Sequence, residues 1–233
     1  MQLPAETGRL DGLAYCLWLP EPPARGGVVI LHGAGSCKES HHDFARVVLA
    51  GGFAAVTFDQ RGHGESDGPM DGRALDDIAG FASLLRSASG DPLLPIALRG
   101  SSMGGYLAIV AAQAADAGAV VAICPAPPEG LLRGLRAGKF GFDADTDAFE
   151  AFLTSHDLFA AVKSLKAPLL LLHAEGDEQV PVEHSRELAA AARSAGSRLI
   201  ALPGGHHRSI QHDEEMQAVS LRFIRRALGR SVS

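Results

Sequence analysis

Six short, almost unbroken apolar runs, at residues 27–31, 54–58, 95–98, 119–124, 168–172 and 198–202, recur along the chain with amphipathic stretches between them. A strand with one wet face would show a polar residue at every second position. Runs this uniformly apolar belong to strands covered on both faces, as in a parallel sheet flanked by helices. The stretches between them read as helices over 39–50, 73–87, 103–115, 183–194 and 214–228, with Pro181 and Glu183 placed as a helix start requires. Ahead of the first run, residues 7–10 and 13–19 flank Asp11-Gly12, the dipeptide of a type I′ turn. The expected architecture is a doubly wound α/β sheet, mostly parallel, with an antiparallel hairpin at its N-terminal edge.

One segment, 125–166, breaks the alternation, and it holds Phe140, Phe142, Phe149, Phe152 and Phe159, half of the ten phenylalanines. A structureless loop of this length is uncommon in a compact domain. A small helical cap over the strand ends is the expected form, with an apolar, aromatic pocket beneath it. With 233 residues, 46% hydrophobic, and no Pro/Ser-rich linker or charge block, the chain reads as one domain spanning 1–233.

Ligands of such sheets bind at the carboxyl ends of the strands. There the sequence places His32-Gly33-Ala34-Gly35, Asp59 through Ser66, LRGSSMGGY at 98–106, Glu175 through Glu178, and Gly204-Gly205-His206-His207. A serine, an acid and a histidine thus follow three different strands, in that order. The serine stretch has the form G-x-S-x-G, and its register selects Ser102: Gly100 and Gly104 flank it, whereas Ser101 would need glycines where Arg99 and Met103 stand. A serine hydroxyl needs a base to take its proton and an acid to orient that base. His206 or His207 can be the base, and Asp177 the acid. Residues alone do not separate the two histidines.

HGAGSCKES, FDQRGHGESDG, RGSSMGGY, HAEGDEQVP and LPGGHH, in this order, resemble the α/β-hydrolase fold from Gly27 onward. The resemblance implies an acid in an H-x-x-x-D-x-x-V-P pattern, which fits Asp177 through His173, Val180 and Pro181 and disfavours Glu175 and Glu178. It implies a histidine closing a P-G-x-x-H loop, which fits His207. It also implies an oxyanion hole from the backbone N–H groups of Met103 and Ala34, although HGAG stands where many esterases carry HGGG. The Arg61-Gly62-His63-Gly64 turn is expected to be scaffold.

These residues point to a serine hydrolase acting on small-molecule carboxylic esters with short acyl or aromatic groups, with thioester and amide cleavage as alternatives on the same triad. No metal or organic cofactor is implied. His41-His42 reads as a solvated pair, since no third ligand falls at a metal-site spacing. A rival reading is a nucleotide-binding module built on Gly33-x-Gly35 and Asp59, but Lys38 occupies the place of the third glycine and no G-K-[ST] follows. Another is a non-catalytic receptor, which would be expected to lack a triad member. The net charge of −6 argues against nucleic acid and anionic membrane as partners. Arg222, Arg225, Arg226 and Arg230 read as a solvated helix face. With no signal-like N-terminus, no membrane-length apolar run and three unpatterned cysteines, a cytoplasmic location is expected.

Overall fold

Asp11 and Gly12 adopt φ of 49° and 83°, the two positive values of a type I′ turn. The turn closes β1 (Glu6–Leu10) on β2 (Leu13–Trp18), with Leu10 opposite Leu13. The computed structural model describes residues 2–229, so Arg230 lies outside them, while Arg222, Arg225 and Arg226 are exposed on the last helix.

The apolar runs become β3 (Gly27–Leu31), β4 (Ala54–Phe58), β5 (Ile96–Ser101), β6 (Ala117–Ile123), β7 (Leu169–Ala174) and β8 (Arg198–Leu202). They form one eight-stranded sheet in the order β1-β2-β4-β3-β5-β6-β7-β8. Only the β1–β2 and β2–β4 pairs are antiparallel. β5 continues past the expected 95–98 to Ser101, carrying Arg99 and Gly100 into the centre of the sheet.

Alternate side chains on each strand enter opposite cores. Val29 and Leu31 pack with Phe81 and Leu85 of α2 (Ala74–Ala88) and with Tyr106 and Leu107 of α3 (Met103–Val110). Val28 and Ile30 pack with Phe44 and Val48 of α1 (His42–Ala50) and with Phe223 and Ile224 of α8 (Glu214–Leu228). Covered on both faces, β3 has no exposed residue, which is why its sequence shows no alternation. α3 is shorter than the expected 103–115. Beyond Val110 the chain tightens into turns, with Ala112 N–H bonding to Ile109 O and Asp116 taking φ of 50°, and so reverses into β6.

Between β6 and β7 lie α4 (Pro128–Arg136), α5 (Thr146–Ser155) and α6 (Leu158–Ser164). Asp145 and Asp157 cap the last two, each accepting from an N–H in the first turn. Arg136 and Glu150 link α4 to α5. The loop between these helices is stitched to the loop after β4: Met70 N–H donates to Asp143 O at 2.9 Å and Asp143 N–H to Gly62 O at 3.0 Å. A Cβ on Gly62 would lie 1.9 Å from Asp143 O, so only glycine permits that approach. α7 (Val182–Ala191) starts directly after Pro181. No helix among the described residues is long and apolar enough to cross a membrane.

Candidate active site

Ser102 sits between the end of β5 and the start of α3 with φ of 55° and ψ of −118°. Such a backbone costs about 1–3 kcal/mol and persists only where the surroundings over-determine it. Here Ser102 N–H donates to Ile123 O at 2.8 Å, and Ser102 O accepts from Tyr106 and Ala126 N–H at 3.0 Å. The flanking glycines have a steric cause. A Cβ on Gly100 would lie 2.0 Å from Gly104 O, and one on Gly104 would lie 2.5 Å from Leu31 O and His32 O. The two serines diverge: the Ser101 hydroxyl is committed to Gln211 Oε1 at 2.8 Å, while Ser102 opens onto a cavity of about 970 Å³.

Asp177, in the turn after β7, accepts at Oδ1 from Gln179 N–H (2.8 Å) and Val180 N–H (2.9 Å). Its Oδ2 meets His207 Nδ1 at 2.7 Å and His173 Nε2 at 3.4 Å, and its side chain is wholly buried. Burial alone would raise its pKa, but hydrogen bonds from His173, His207, Val180 and Gln179 outweigh burial and hold the carboxyl well below the ordinary range. It is therefore ionised, so His207 donates from Nδ1 and leaves Nε2 as an acceptor. His206 is exposed and folded into its own turn: its N–H reaches Ser209 Oγ, and its Nδ1 accepts from Arg208 N–H. The neighbouring acids are also occupied elsewhere. Glu175 pairs with Arg186, and Glu178 accepts from the His207 backbone. The two loops can meet because Gly176 is bare: a Cβ there would lie 2.4 Å from Gly205 O.

His207 and Ser102 line the same cavity, yet among the described residues no hydrogen bond joins them. Such contacts are often long before substrate binds. Ala34 also lines the cavity, and Gly33 lies close enough that a Cβ on it would be 3.3 Å from Ser102 Cβ. Among the described residues the N–H groups of Ala34 and Met103 have no hydrogen-bond partner. The Ala34 loop is pinned from behind by His32, which accepts at Nε2 from Gln60 N–H (3.0 Å) and donates from Nδ1 to Gly33 O (2.8 Å). Burial, chiefly, lowers the His32 pKa to about 4, so this anchor is neutral.

A family model described as serine aminopeptidase, S33, matches residues 22–131. The α/β-hydrolase GrgF from Penicillium sp. sh18 superposes with a TM-score of 0.73 at 18% identity, over 94% of this chain and 96% of that one. This chain is an α/β-hydrolase-fold protein. A monoacylglycerol lipase of Mycolicibacterium smegmatis is 28% identical over 87% of this chain and 88% of its own length. The structure of ferulic acid bound to Est1E from Butyrivibrio proteoclasticus superposes with a TM-score of 0.69 at 22% identity, covering 98% of this chain and 100% of that one.

Around the site, this α/β-hydrolase-fold chain departs from several sequence expectations. Phe149 and Phe152 turn into the core at 0% and 4% exposure, Phe142 stacks on His63 and Phe159 meets His184 edge-on. Of the five phenylalanines in 125–166, only Phe140 lines the cavity; Phe149 and Phe152 on α5 turn into the core, where Phe152 meets Tyr106 of α3 edge-on. His41 is not solvated: it is 1% exposed with neither ring nitrogen hydrogen-bonded, and burial holds its pKa well below the usual value. It is drawn inward by the short turn Lys38–His41, itself anchored by an ion pair from Lys38 Nζ to Asp59 Oδ2 at 2.8 Å. That pair also bears on the nucleotide reading. Asp59 is fully buried, and its carboxylate is bound by Lys38 and by Glu65 N–H, so it is not free to hold a ribose.

The Arg61 turn is tied into the scaffold through a two-pronged contact to Asp77. Cys124, His173 and Asp177 bring donor atoms within 4.8 Å of one another. These groups are engaged within the protein: His173 Nε2 meets Val180 O at 2.9 Å, and burial pushes the Cys124 thiol upward. Both side chains support Asp177 from behind, a role legible beforehand only as the motif position of His173.

Proposed function

We propose that this chain is a serine hydrolase of carboxylic esters carrying small apolar or aromatic groups. The observation that carries the reading is the meeting of three loops: Ser102 on its strained turn shares a cavity with His207, whose ring is oriented by the buried Asp177. In this reading Ser102 Oγ attacks the ester carbonyl while His207 Nε2 takes its proton. The Ala34 and Met103 N–H groups hold the resulting oxyanion. His207 then protonates the departing alcohol as the acyl-enzyme forms, and water repeats the two steps to free the acid and restore Ser102. Each oxyanion donor is worth about 3 kcal/mol in comparable sites.

The apolar wall formed by Leu131, Pro127 and Phe140 suits a short acyl or aryl group. The likeness to a monoacylglycerol lipase supports ester chemistry, and the match to a serine aminopeptidase model makes amide cleavage the reading to test against it. The decisive experiment labels the protein with a fluorophosphonate, maps the adduct, and then compares p-nitrophenyl esters of increasing chain length with aminoacyl p-nitroanilides. Label on Ser102 and turnover of short esters are expected. Label on Ser101, no label, or preference for the anilides would overturn the proposal.

A further inference from the structure

The cavity wall carries a charge asymmetry that ester cleavage alone does not need. Arg133 from α4, Lys139 from the turn beyond it and Arg208 beside His207 all line the cavity, and among the described residues no Asp or Glu does. The chain as a whole has 27 acidic and 21 basic residues, so a cleft with cations alone runs against its composition. Neighbouring arginines are neutralised: Arg136 pairs with Glu150, and Arg186 with Glu175 and Glu183. Among the described residues, by contrast, no salt bridge or side-chain hydrogen bond engages Arg133, Lys139 or Arg208, and all three are exposed. Asp177 is buried against the His207 ring, and Glu178, outside the cavity lining, accepts from the His207 N–H.

Three like charges brought to one cleft from two separate parts of the chain give it a positive potential that favours an anionic ligand. Guanidinium forks match the paired oxygens of a carboxylate or phosphate. Leu131 and Phe140, on the same wall, offer apolar surface to hydrocarbon between such a group and the ester. We infer that the substrate carries an oxyanion, carboxylate or phosphate, in addition to its scissile ester, and that Arg133, Lys139 and Arg208 hold it. The inference deepens the esterase reading and rests on it for the word substrate, while the oxyanion site itself can be tested without turnover.

The test compares p-nitrophenyl butyrate with mono-p-nitrophenyl succinate, which has the same chain length and one terminal carboxylate. For the wild type, kcat/KM should favour the succinate ester by about tenfold or more at low salt, and the preference should shrink as salt screens it. In the R133Q/K139Q/R208Q variant, and in smaller steps in the single variants, the ratio of the two values should fall by about tenfold. In parallel, Ser102→Ala protein is titrated calorimetrically with monomethyl succinate, methyl phosphate and methyl butyrate. Charge-dependent binding of either anion, lost in the triple-substituted background, supports the site, and the tighter of the two identifies the oxyanion. Equal turnover of both esters with an unchanged ratio in the variant overturns the inference and leaves the esterase reading standing. No hydrolysis and no labelling, with charge-dependent binding retained, overturns the esterase reading and leaves the oxyanion site.

Discussion

Lys38 Nζ lies 2.8 Å from Asp59 Oδ2, and the two side chains are only 5% and 0% exposed. The pair joins the loop after β3, which carries Ala34, to the loop after β4. Glu65 closes the cluster from the solvent side, 2.7 Å from the same ammonium. Removing one partner of a buried pair strands the other charge and costs about 3–5 kcal/mol. Lys38→Met should therefore destabilise the fold by about that amount in urea unfolding, and Lys38→Met combined with Asp59→Asn should recover part of the loss. A double variant no better than the single one would argue that Lys38 acts through packing alone.

The same pair predicts an acid limb. Burial would raise the Asp59 pKa, but hydrogen bonds from Glu65 N–H and from the Lys38 ammonium and N–H outweigh it and depress the folded value below 3.8. A depressed carboxyl contributes stability above its unfolded pKa, about 3.9, and that contribution vanishes as pH falls through the folded value. The stability gap between wild type and Asp59→Asn should thus be constant near neutrality and close below about pH 4. Thermal unfolding across pH 2–7 reads this directly, and a gap that persists at the acid end would count against it.

Ser101 and Ser102 separate by what their hydroxyls already hold. With its Oγ bound to Gln211, Ser101 can be replaced by alanine at the cost of one hydrogen bond, about 1 kcal/mol. Ser102→Ala should lower kcat by about 10⁴-fold or more, and His207→Ala should do the same while His206→Ala changes it little. Asp177→Asn should lose about 10⁴-fold, because the amide can hold the ring in the wrong tautomer. Steady-state kinetics on a p-nitrophenyl ester decides each pair. Comparable losses at residues 206 and 207 would undo the assignment.

Much of this is legible in the sequence because the signals are local. Strands buried on both faces show no alternation, and the steric conflict between residues 100 and 104 leaves its mark as two glycines at a fixed interval. The pairing of Asp177 with His207 is different: it joins turns after two strands, and only the motif pattern favoured Asp177 over the two nearby glutamates. What was illegible depends on direction rather than identity. Phe149 and Phe152 look like pocket aromatics until α5 turns them into the core beside Tyr106 of α3, and His41 looks solvated until Lys38 draws its turn inward. Arg99 is the extreme case. A charged residue in a central strand has no sequence signal for its role.

Arg99 is fully buried, with its guanidinium 3.8 Å above the Phe44 ring centre and no carboxylate in contact among the described residues. Desolvation pushes its pKa below the ordinary guanidinium range, against a weak pull from Asp43, and Nε and Nη1 lack partners. Among the described residues its side chain makes one hydrogen bond, from Nη2 to Gln211 O at 3.1 Å. Gln211 also receives the Ser101 hydroxyl and Gln217 Nε2, so the turn carrying His207 is moored to the strand that leads into Ser102. A buried cation so poorly compensated adds little net stability, and replacing it with an apolar chain of similar length is often neutral or stabilising. Arg99→Met should therefore unfold at the same temperature or higher, yet lower kcat by about tenfold with KM nearly unchanged, as the histidine loop loses its mooring. Calorimetry and kinetics on one preparation separate the outcomes. Loss of stability and activity together would make Arg99 structural, and full activity in a stable variant would show that Ser101 and Gln217 hold the loop without it.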